Sequence, residues 1–204
     1  AMVIQQLPED LKDSVCIFYL VLRALDTVED DMKFPESEKW PLLREFYKKS
    51  YDETFKLTGV GDQDDYTVLL ENYPKVTRVF KSLHPSYQHV IADICCRMGN
   101  GMGDFSEKKV DSIEDYDLYC HYVAGLVGIG LSGLFSASGS ESETLKDEHK
   151  LSNSMGLLLQ KTNIIRDYCE DLHGDRVFWP SDVWKKYNDD LEFFHKNPNH
   201  PKSI

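Results

Sequence analysis

Apolar side chains return every three or four positions along most of this chain, the spacing that lines one face of a helix. Between about Leu11 and Lys33 they fall at Leu11, Val15, Phe18, Leu22 and Leu25, and Phe34-Pro35 ends the run. A second helix is predicted from Pro41 through Phe46 to Leu57, with Pro at its first position, and Gly59-Val60-Gly61-Asp62 then marks an exposed loop. Further helices are predicted to begin near Pro74 and Pro85, the latter carrying Val90, Ile91, Ile94, Met98, Met102 and Phe105 on one side. Ser112-Ile113-Glu114-Asp115 has the form of a capping box and opens a long helix to about Ala137. Polar Ser138 to Lys150 reads as a surface loop. A helix from about Leu151 to Asp171, stopped at His173-Gly174, and an amphipathic segment capped by Ser181 and reaching Phe194 complete the order. No stretch suggests a sheet, so the expected fold is all-α, and no solenoid repeat is present.

Length and charge narrow the partners. With 204 residues, 41% of them hydrophobic, the chain can close one sizeable core, and a single domain over 1–204 is expected. Thirty-five acidic against 23 basic residues leave a net charge of -12 with no basic stripe, which argues against nucleic acid. Such a chain can bind anionic ligands only through clustered Arg and Lys or through divalent cations. Cys16, Cys95, Cys96, Cys120 and Cys169 form no C-x-x-C pattern and read as reduced core residues. The weakly polar stretch Val123 to Phe135 is shorter than the ~20 residues of a membrane span, and no targeting peptide is visible. The abrupt start and the polar finish from Asn197 to Ile204 lead us to expect a fragment of a longer chain.

Two acidic stripes carry the chemistry. Residues three and four apart share a helix face, so Tyr19, Arg23, Asp26 and Asp30 form one polar row. Two carboxylates one turn apart repel each other by about 0.2–0.5 kcal/mol in an isolated helix, a penalty a cation removes. Mg²⁺ takes one or two carboxylates and completes its octahedron with phosphate oxygens and water, which suits this spacing, and Arg23 could grip the same phosphate. Alone, such a pair is more simply a solvated acidic face. Gln160, Asn163, Asp167 and Asp171, however, repeat the design at spacings of three, four and four, with Ile164, Ile165 and Leu157-Leu158-Leu159 around them. Arg166 stands beside this second stripe.

These segments together resemble the squalene synthase family. Asp-Thr-Val-Glu-Asp-Asp at 26 to 31 is similar to its first aspartate-rich motif, and Gln-Lys-Thr-Asn-Ile-Ile-Arg-Asp-Tyr at 160 to 168, with Glu-Asp at 170 to 171, to its second. Three further matches stand in the expected order: residues 91 to 103, residues 119 to 128 and Phe-Trp-Pro at 178 to 180. The resemblance implies an isoprenoid-synthase-type helical bundle around a central prenyl-binding cavity, truncated here at both ends. It implies head-to-head joining of two farnesyl diphosphates through presqualene diphosphate, then reduction by NADPH to squalene. Mg²⁺ would be held by Asp26, Glu29, Asp30, Asn163, Asp167 and Asp171, and diphosphate by Tyr19, Arg23, Gln160, Asn163 and Arg166. Tyr119 matches the family tyrosine near the reacting carbons, though a buried Tyr donating to a backbone carbonyl is an equal reading of the residue.

The row Gly125, Gly128, Gly130 and Gly133 has two readings, a prenyl groove or close helix packing. Met98, Met102 and Phe105 are core residues that could line such a groove, and His121 is read as structural. Gly103 stands where the family commonly has Ala. A Ser- and Arg-bearing segment before Val3, and helices and a membrane anchor after Ile204, would be missing. The 204-residue chain is therefore expected to lack a complete NADPH site and to support at most metal and diphosphate binding. The parent would be a monomer on the cytosolic face of the endoplasmic reticulum. Rival readings are a phytoene or dehydrosqualene synthase-like condensation without reduction, and an inert prenyl-ligand-binding relative.

Overall fold

Helix α1 (Glu9–Asp30) and helix α5 (Pro85–Phe105) pack against each other and against the helices over 36–49 and 126–137, and the helix over 149–166 seats on the last of these and the turn before it. The computed structural model describes residues 2–61, 63–106, 108–139, 141–174 and 176–203. Asp62 and Ser140, within the two expected loops, lie outside the described residues, as do Ala1, Glu107, Asp175 and Ile204. All regular elements among the described residues are helical. They continue as α2 (Glu36–Lys49), α3 (Asp64–Glu71), α4 (Tyr73–Ser82), α6 (Ile113–Cys120), α7 (Leu126–Ala137), α8 (His149–Arg166), α9 (Tyr168–His173), α10 (Ser181–Trp184) and α11 (Glu192–Lys196). Short 3₁₀ turns at Ile4–Gln6 and Glu143–Asp147 complete the set.

The first helix forms as its pattern requires. Leu11, Val15, Phe18, Leu22, Leu25 and Val28 are buried along one face, which contributes about 1.5–3 kcal/mol per large side chain. It stops at Asp31, whose carboxylate accepts the backbone N–H groups of Lys33 and Phe34 on one oxygen and of Gly61 on the other. Although burial opposes ionisation, these three donors hold the Asp31 carboxyl below its usual range. Asp31 is thus a clip that ties the end of α1 to the loop before α3, unlike its acidic neighbours.

Several expected boundaries move. Helix α2 starts at Glu36, with Pro41 inside it, because Pro35 ends the preceding segment and Glu36 and Glu38 favour the first turn. It ends at Lys49 rather than Leu57. Helix α3 was not expected at all; it is short and buries only Leu70, so its apolar signal is weak. The Ser112–Asp115 capping box is present, with both reciprocal bonds. The long helix it opens runs to Ala137 but widens into a π turn at His121–Gly125, closed by Leu126 N–H donating to His121 C=O. The 25-residue helix Ile113–Ala137 is long and apolar enough to cross a membrane by length and composition, a criterion that the shorter stretch read from sequence did not reach. Here it packs within the protein, burying Tyr119, Cys120, Leu126, Gly130 and Leu134.

Two further corrections concern the C-terminal third. The helix expected over 151–171 breaks at Asp167, whose φ of -93° and ψ of 6° separate α8 from α9. Pro180, rather than Ser181, precedes α10, and the Ser181 hydroxyl instead donates to Asp111. Leu158, Leu159 and Ile165 do not enclose the second stripe; they are 58–61% exposed on the outer side of α8, while Ile164 is buried. Cys95 and Cys120 are buried as expected, but Cys169 is exposed, with its sulfur 3.1 Å from His195 Nδ1.

The glycine row is explained by packing. A Cβ on Gly128 would lie 2.5 Å from Ser152 C=O, and one on Gly156 2.5 Å from Ala124 C=O, so the backbones of α7, the π turn and α8 touch. His121 Nδ1 pairs with the Asn153 side chain at 2.6 Å across the same seam, a structural role. At Gly103 a Cβ would meet only the mobile end of Arg44 at 2.9 Å.

Gly128→Ala is therefore expected to destabilise the chain by about 1–3 kcal/mol, because the obstructing atom is backbone. Gly133→Ala, which meets only Val90 at 3.2 Å, is expected to be neutral or stabilising, since Ala gains about 1 kcal/mol over Gly in a helix. Urea unfolding of both variants checks the pair, and equal losses would rule out the backbone seam as the cause.

Candidate active site

Seen from α1, the polar row at Arg23, Asp26, Glu29 and Asp30 lines one side of a cavity of about 470 Å³. The opposite side carries Gln160, Asn163, Arg166, Asp167, Glu170 and Asp171, from the end of α8 and from α9. The break at Asp167 does not scatter them, since Asp171 N–H donates to Asp167 C=O at 2.9 Å and keeps the two aspartates one turn apart. The contact between Gly128 and Ser152 sets α8 against the helix that bears Tyr119, which also lines this cavity.

Electrostatics inside the cavity are unfavourable for so many acids. Burial, opposed by Arg23 and reinforced by Asp30, pushes the Asp26 carboxyl up to about 7. Burial and then the charges of Asp30 and Asp26 push Glu29 up to about 8. Burial, partly offset by Arg176, raises the Asp171 carboxyl as well. Tyr119 is buried, stacked on Phe178 at 5.0 Å and edge-on to Phe105 at 5.5 Å. Burial first, then Glu29, Asp30 and Asp26, raise its phenol well above the ordinary value, so it holds its proton. Among the described residues its hydroxyl donates to no backbone carbonyl, and the phenol is left for a ligand.

Arginines supply the opposing charge. Arg23 lies 3.7 Å from Asp26 and under the rings of Tyr66 and Tyr19, at 5.1 and 6.0 Å. Its Nε is buried with no hydrogen-bond partner among the described residues, a donor that an anion in the cavity would satisfy. Arg166 forks onto its own neighbour Asp167 with two bonds of 2.6 Å and is 68% exposed. Arg176 spans both walls: Nη1 donates to Asp30 at 2.9 Å and Nη2 lies 3.3 Å from Asp171. Tyr19 lines a neighbouring apolar cavity rather than the acidic one.

That neighbour, about 350 Å³, opens off the acidic cavity at Arg23, Asp26 and Gln160 and is walled by Leu22, Met98, Val123, Val127 and Leu131. A second, largely apolar cavity of about 600 Å³ meets it at Glu29, Tyr119 and Phe178 and extends past Trp40, Phe105 and Trp184, with Lys108, Lys109 and Lys185 also on its lining. One polar centre therefore carries two apolar arms, a shape for amphipathic ligands with a compact anionic head. Met98 and Met102 line these cavities while remaining core residues.

Among the described residues no three His, Cys, Asp or Glu side chains stand close enough to hold a metal unaided. The donor set nonetheless fits Mg²⁺, which needs only one or two carboxylates when phosphate oxygens and water complete its shell. The desolvated carboxyls of Asp26 and Glu29, with Asp30 beside them, make the field that a dication relieves.

Sequence reasoning missed Arg176, Gln63 and Tyr66 in this cavity and placed Glu170 in the second motif without a site role. Arg176 had a signal: a lone basic residue between the second acidic stripe and Phe178-Trp179-Pro180. Tyr66 had none, since it sits on the unforeseen α3.

A sequence profile of the squalene/phytoene synthase family matches residues 1–204. Squalene synthase BSS of Botryococcus braunii is 61% identical over 202 residues, covering 97% of this chain and 43% of its own length. Rat squalene synthase is 52% identical over 199 residues, covering 98% of this chain and 47% of its own. A solved complex of TcSQS with the ligand BPH1237 superposes with a TM-score of 0.95 at 51% identity, over 99% of this chain and 60% of that one. The chain thus spans less than half the length of these curated relatives.

The raised carboxyls predict a pH dependence. A carboxyl whose folded value lies above its unfolded one contributes most stability below the unfolded value and loses it as pH rises through the folded one. For Asp26 and Glu29 that loss runs upward from about 4 and is complete above about 7 and 8. Glu29→Gln removes its share, so without divalent cation the variant is expected to melt several degrees above wild type at pH 8.5 and alongside it near pH 4. Scanning calorimetry across this range checks the sign; a gap independent of pH would refute it.

Proposed function

Because this chain belongs to the squalene/phytoene synthase family, we propose that the protein joins two molecules of farnesyl diphosphate head to head, through presqualene diphosphate, and reduces the product to squalene with NADPH. The observation that carries the reading is the meeting of two acidic walls, 26–30 and 160–171, around one cavity from which two apolar arms depart. Two arms suit two prenyl chains, and one acidic centre suits their diphosphates. The names of the relatives favour reduction to squalene over condensation alone. By the same family relation we place the full protein as a monomer, anchored at the cytosolic face of the endoplasmic reticulum membrane.

Breaking the allylic carbon–oxygen bond leaves diphosphate and a carbocation. Asp26, Glu29, Asp30, Asn163, Asp167 and Asp171 are the residues that would hold Mg²⁺, which when bound acts as a Lewis acid on the departing diphosphate. Arg23, through its unpartnered Nε, binds phosphate oxygens, and Tyr19 braces its guanidinium. Gln160 and Arg166 contact the diphosphate from the far wall. Tyr119 keeps its proton under burial and acidic neighbours, so its phenol serves as hydrogen-bond donor or acid toward the leaving oxygen. The apolar arms exclude water from the cation. For NADPH no residues of the chain are assigned: the glycine-rich run Gly99–Gly103 lies inside α5, against Leu43, Tyr122 and Arg44, and forms no phosphate loop.

In the full-length protein, Asp26→Asn and Asp167→Asn are each expected to lower turnover of farnesyl diphosphate by about 10²-fold or more with the far-ultraviolet circular dichroism unchanged. Tyr119→Phe is expected to lose about 10²–10⁴-fold. Product analysis with and without NADPH accompanies these assays. Accumulation of a condensation product that NADPH leaves unreduced would favour the phytoene synthase-like reading, and unchanged kinetics in the aspartate variants would remove the metal-ligand assignment.

A further inference from the structure

Six acids and three arginines line the acidic cavity, a formal balance of 3 - 6 = -3. The arginines are not equivalent. Arg166 is taken up by its sequence neighbour Asp167, and Arg23 stays with Asp26 on its own helix. Arg176 alone among them reaches carboxylates of both walls, Asp30 on α1 and Asp171 on α9. Its backbone N–H donates to Asp171 C=O at 2.9 Å, and its guanidinium lies 5.8 Å from the Phe178 ring, so one side is tethered while the charged end reaches into the cavity. It is only part-buried, at 37% exposure, and can turn without repacking the core.

We propose that Arg176 is a resident counter-ion that bridges Asp30 and Asp171 in place of a divalent cation, and exchanges those carboxylates for phosphate oxygens when cation and diphosphate enter together. The inference rests on the metal- and diphosphate-binding reading above. A guanidinium stays charged at every physiological pH, so the bridge holds the two acidic walls at bonding distance whenever the cation is absent. A dication between the same carboxylates repels the guanidinium, and a diphosphate offers both of its Nη groups oxygens in place of Asp30 and Asp171. Arg176 therefore competes with the cation alone and cooperates with the cation–diphosphate pair, a coupling that makes the cavity prefer its two ligands together.

The test is Mn²⁺ titration by electron paramagnetic resonance, and thermal melting, on wild type, Arg176→Gln and Arg176→Lys, with and without inorganic diphosphate. Arg176→Gln is expected to bind Mn²⁺ alone roughly fivefold or more tightly than wild type. It should also lose most of the gain in Mn²⁺ affinity that diphosphate gives the wild type. In chelator its melting temperature should fall, and Mn²⁺ should restore it; Arg176→Lys, able to reach one carboxylate, should lie between. If Arg176→Gln folds only when Mn²⁺ is present, that too supports the bridge. Mn²⁺ affinity equal to or weaker than wild type, or a melting temperature unchanged in chelator, overturns the counter-ion role. No Mn²⁺ binding by wild type, even with diphosphate, overturns the metal reading itself and is distinguishable because no variant is needed to see it.

Discussion

Carboxylates crowded, part-buried, onto two walls of one cavity are the constraint on which this architecture turns. Asp26, Glu29 and Asp30 occupy one wall and Asp167 and Asp171 the other, in a cavity whose continuations are apolar. At Asp26 and Glu29 burial first, then carboxylate neighbours, oppose the ionised state, whereas the Arg166 side chain holds the Asp167 carboxyl below its usual range. Such an arrangement persists in a folded protein when the buried carboxyls keep their protons or when positive charge is brought to them, as Arg23 and Arg176 do here. The surrounding helices exist, in this sense, to hold an electrostatic deficit open.

How they hold it is a matter of backbone contact rather than side-chain filling. Along the seam between the π turn, α7 and α8, glycines admit carbonyl groups where any side chain would intrude, and Asn153 meets His121 beside them. That approach delivers Gln160 and Asn163 to the acidic cavity while Val123, Val127 and Leu131, on the neighbouring face, wall the apolar one. The same helix also presents Tyr119, so walls of the acidic cavity and of the apolar one share a single scaffold.

What the sequence made legible followed from local spacing. Helix α1 and its polar row, the Ser112 capping box and each acidic stripe by itself were readable because each depends on residues within a turn or two of one another, while the pairing of the stripes rested on their repeated design. The glycine row was read correctly as an anomaly but left between two explanations, since spacing does not say what atom waits opposite a missing Cβ. Other features were out of reach for stated reasons. Arg176 meets Asp30 across 146 positions, a pairing no local pattern encodes. Ile164 is buried and Ile165 exposed, yet they are the same residue type side by side, and only the neighbour decides. Nothing in Ile-Ile-Arg-Asp-Tyr, free of Gly and Pro, announces the interruption at Asp167.

That interruption changes the mechanics of the far wall. In an unbroken rod the positions of Asp167 and Asp171 would be dictated by whatever fixes α8 against the rest of the protein. With the ladder cut at Asp167, α9 becomes a six-residue lever, joined to α8 at one end and to the Arg176 loop at the other. A turn of α9 about Asp167 would change the gap between the acidic walls without unseating the glycine seam. The span of the cleft and the firmness of its foundation are thereby separate quantities, each open to adjustment by residues that do not affect the other.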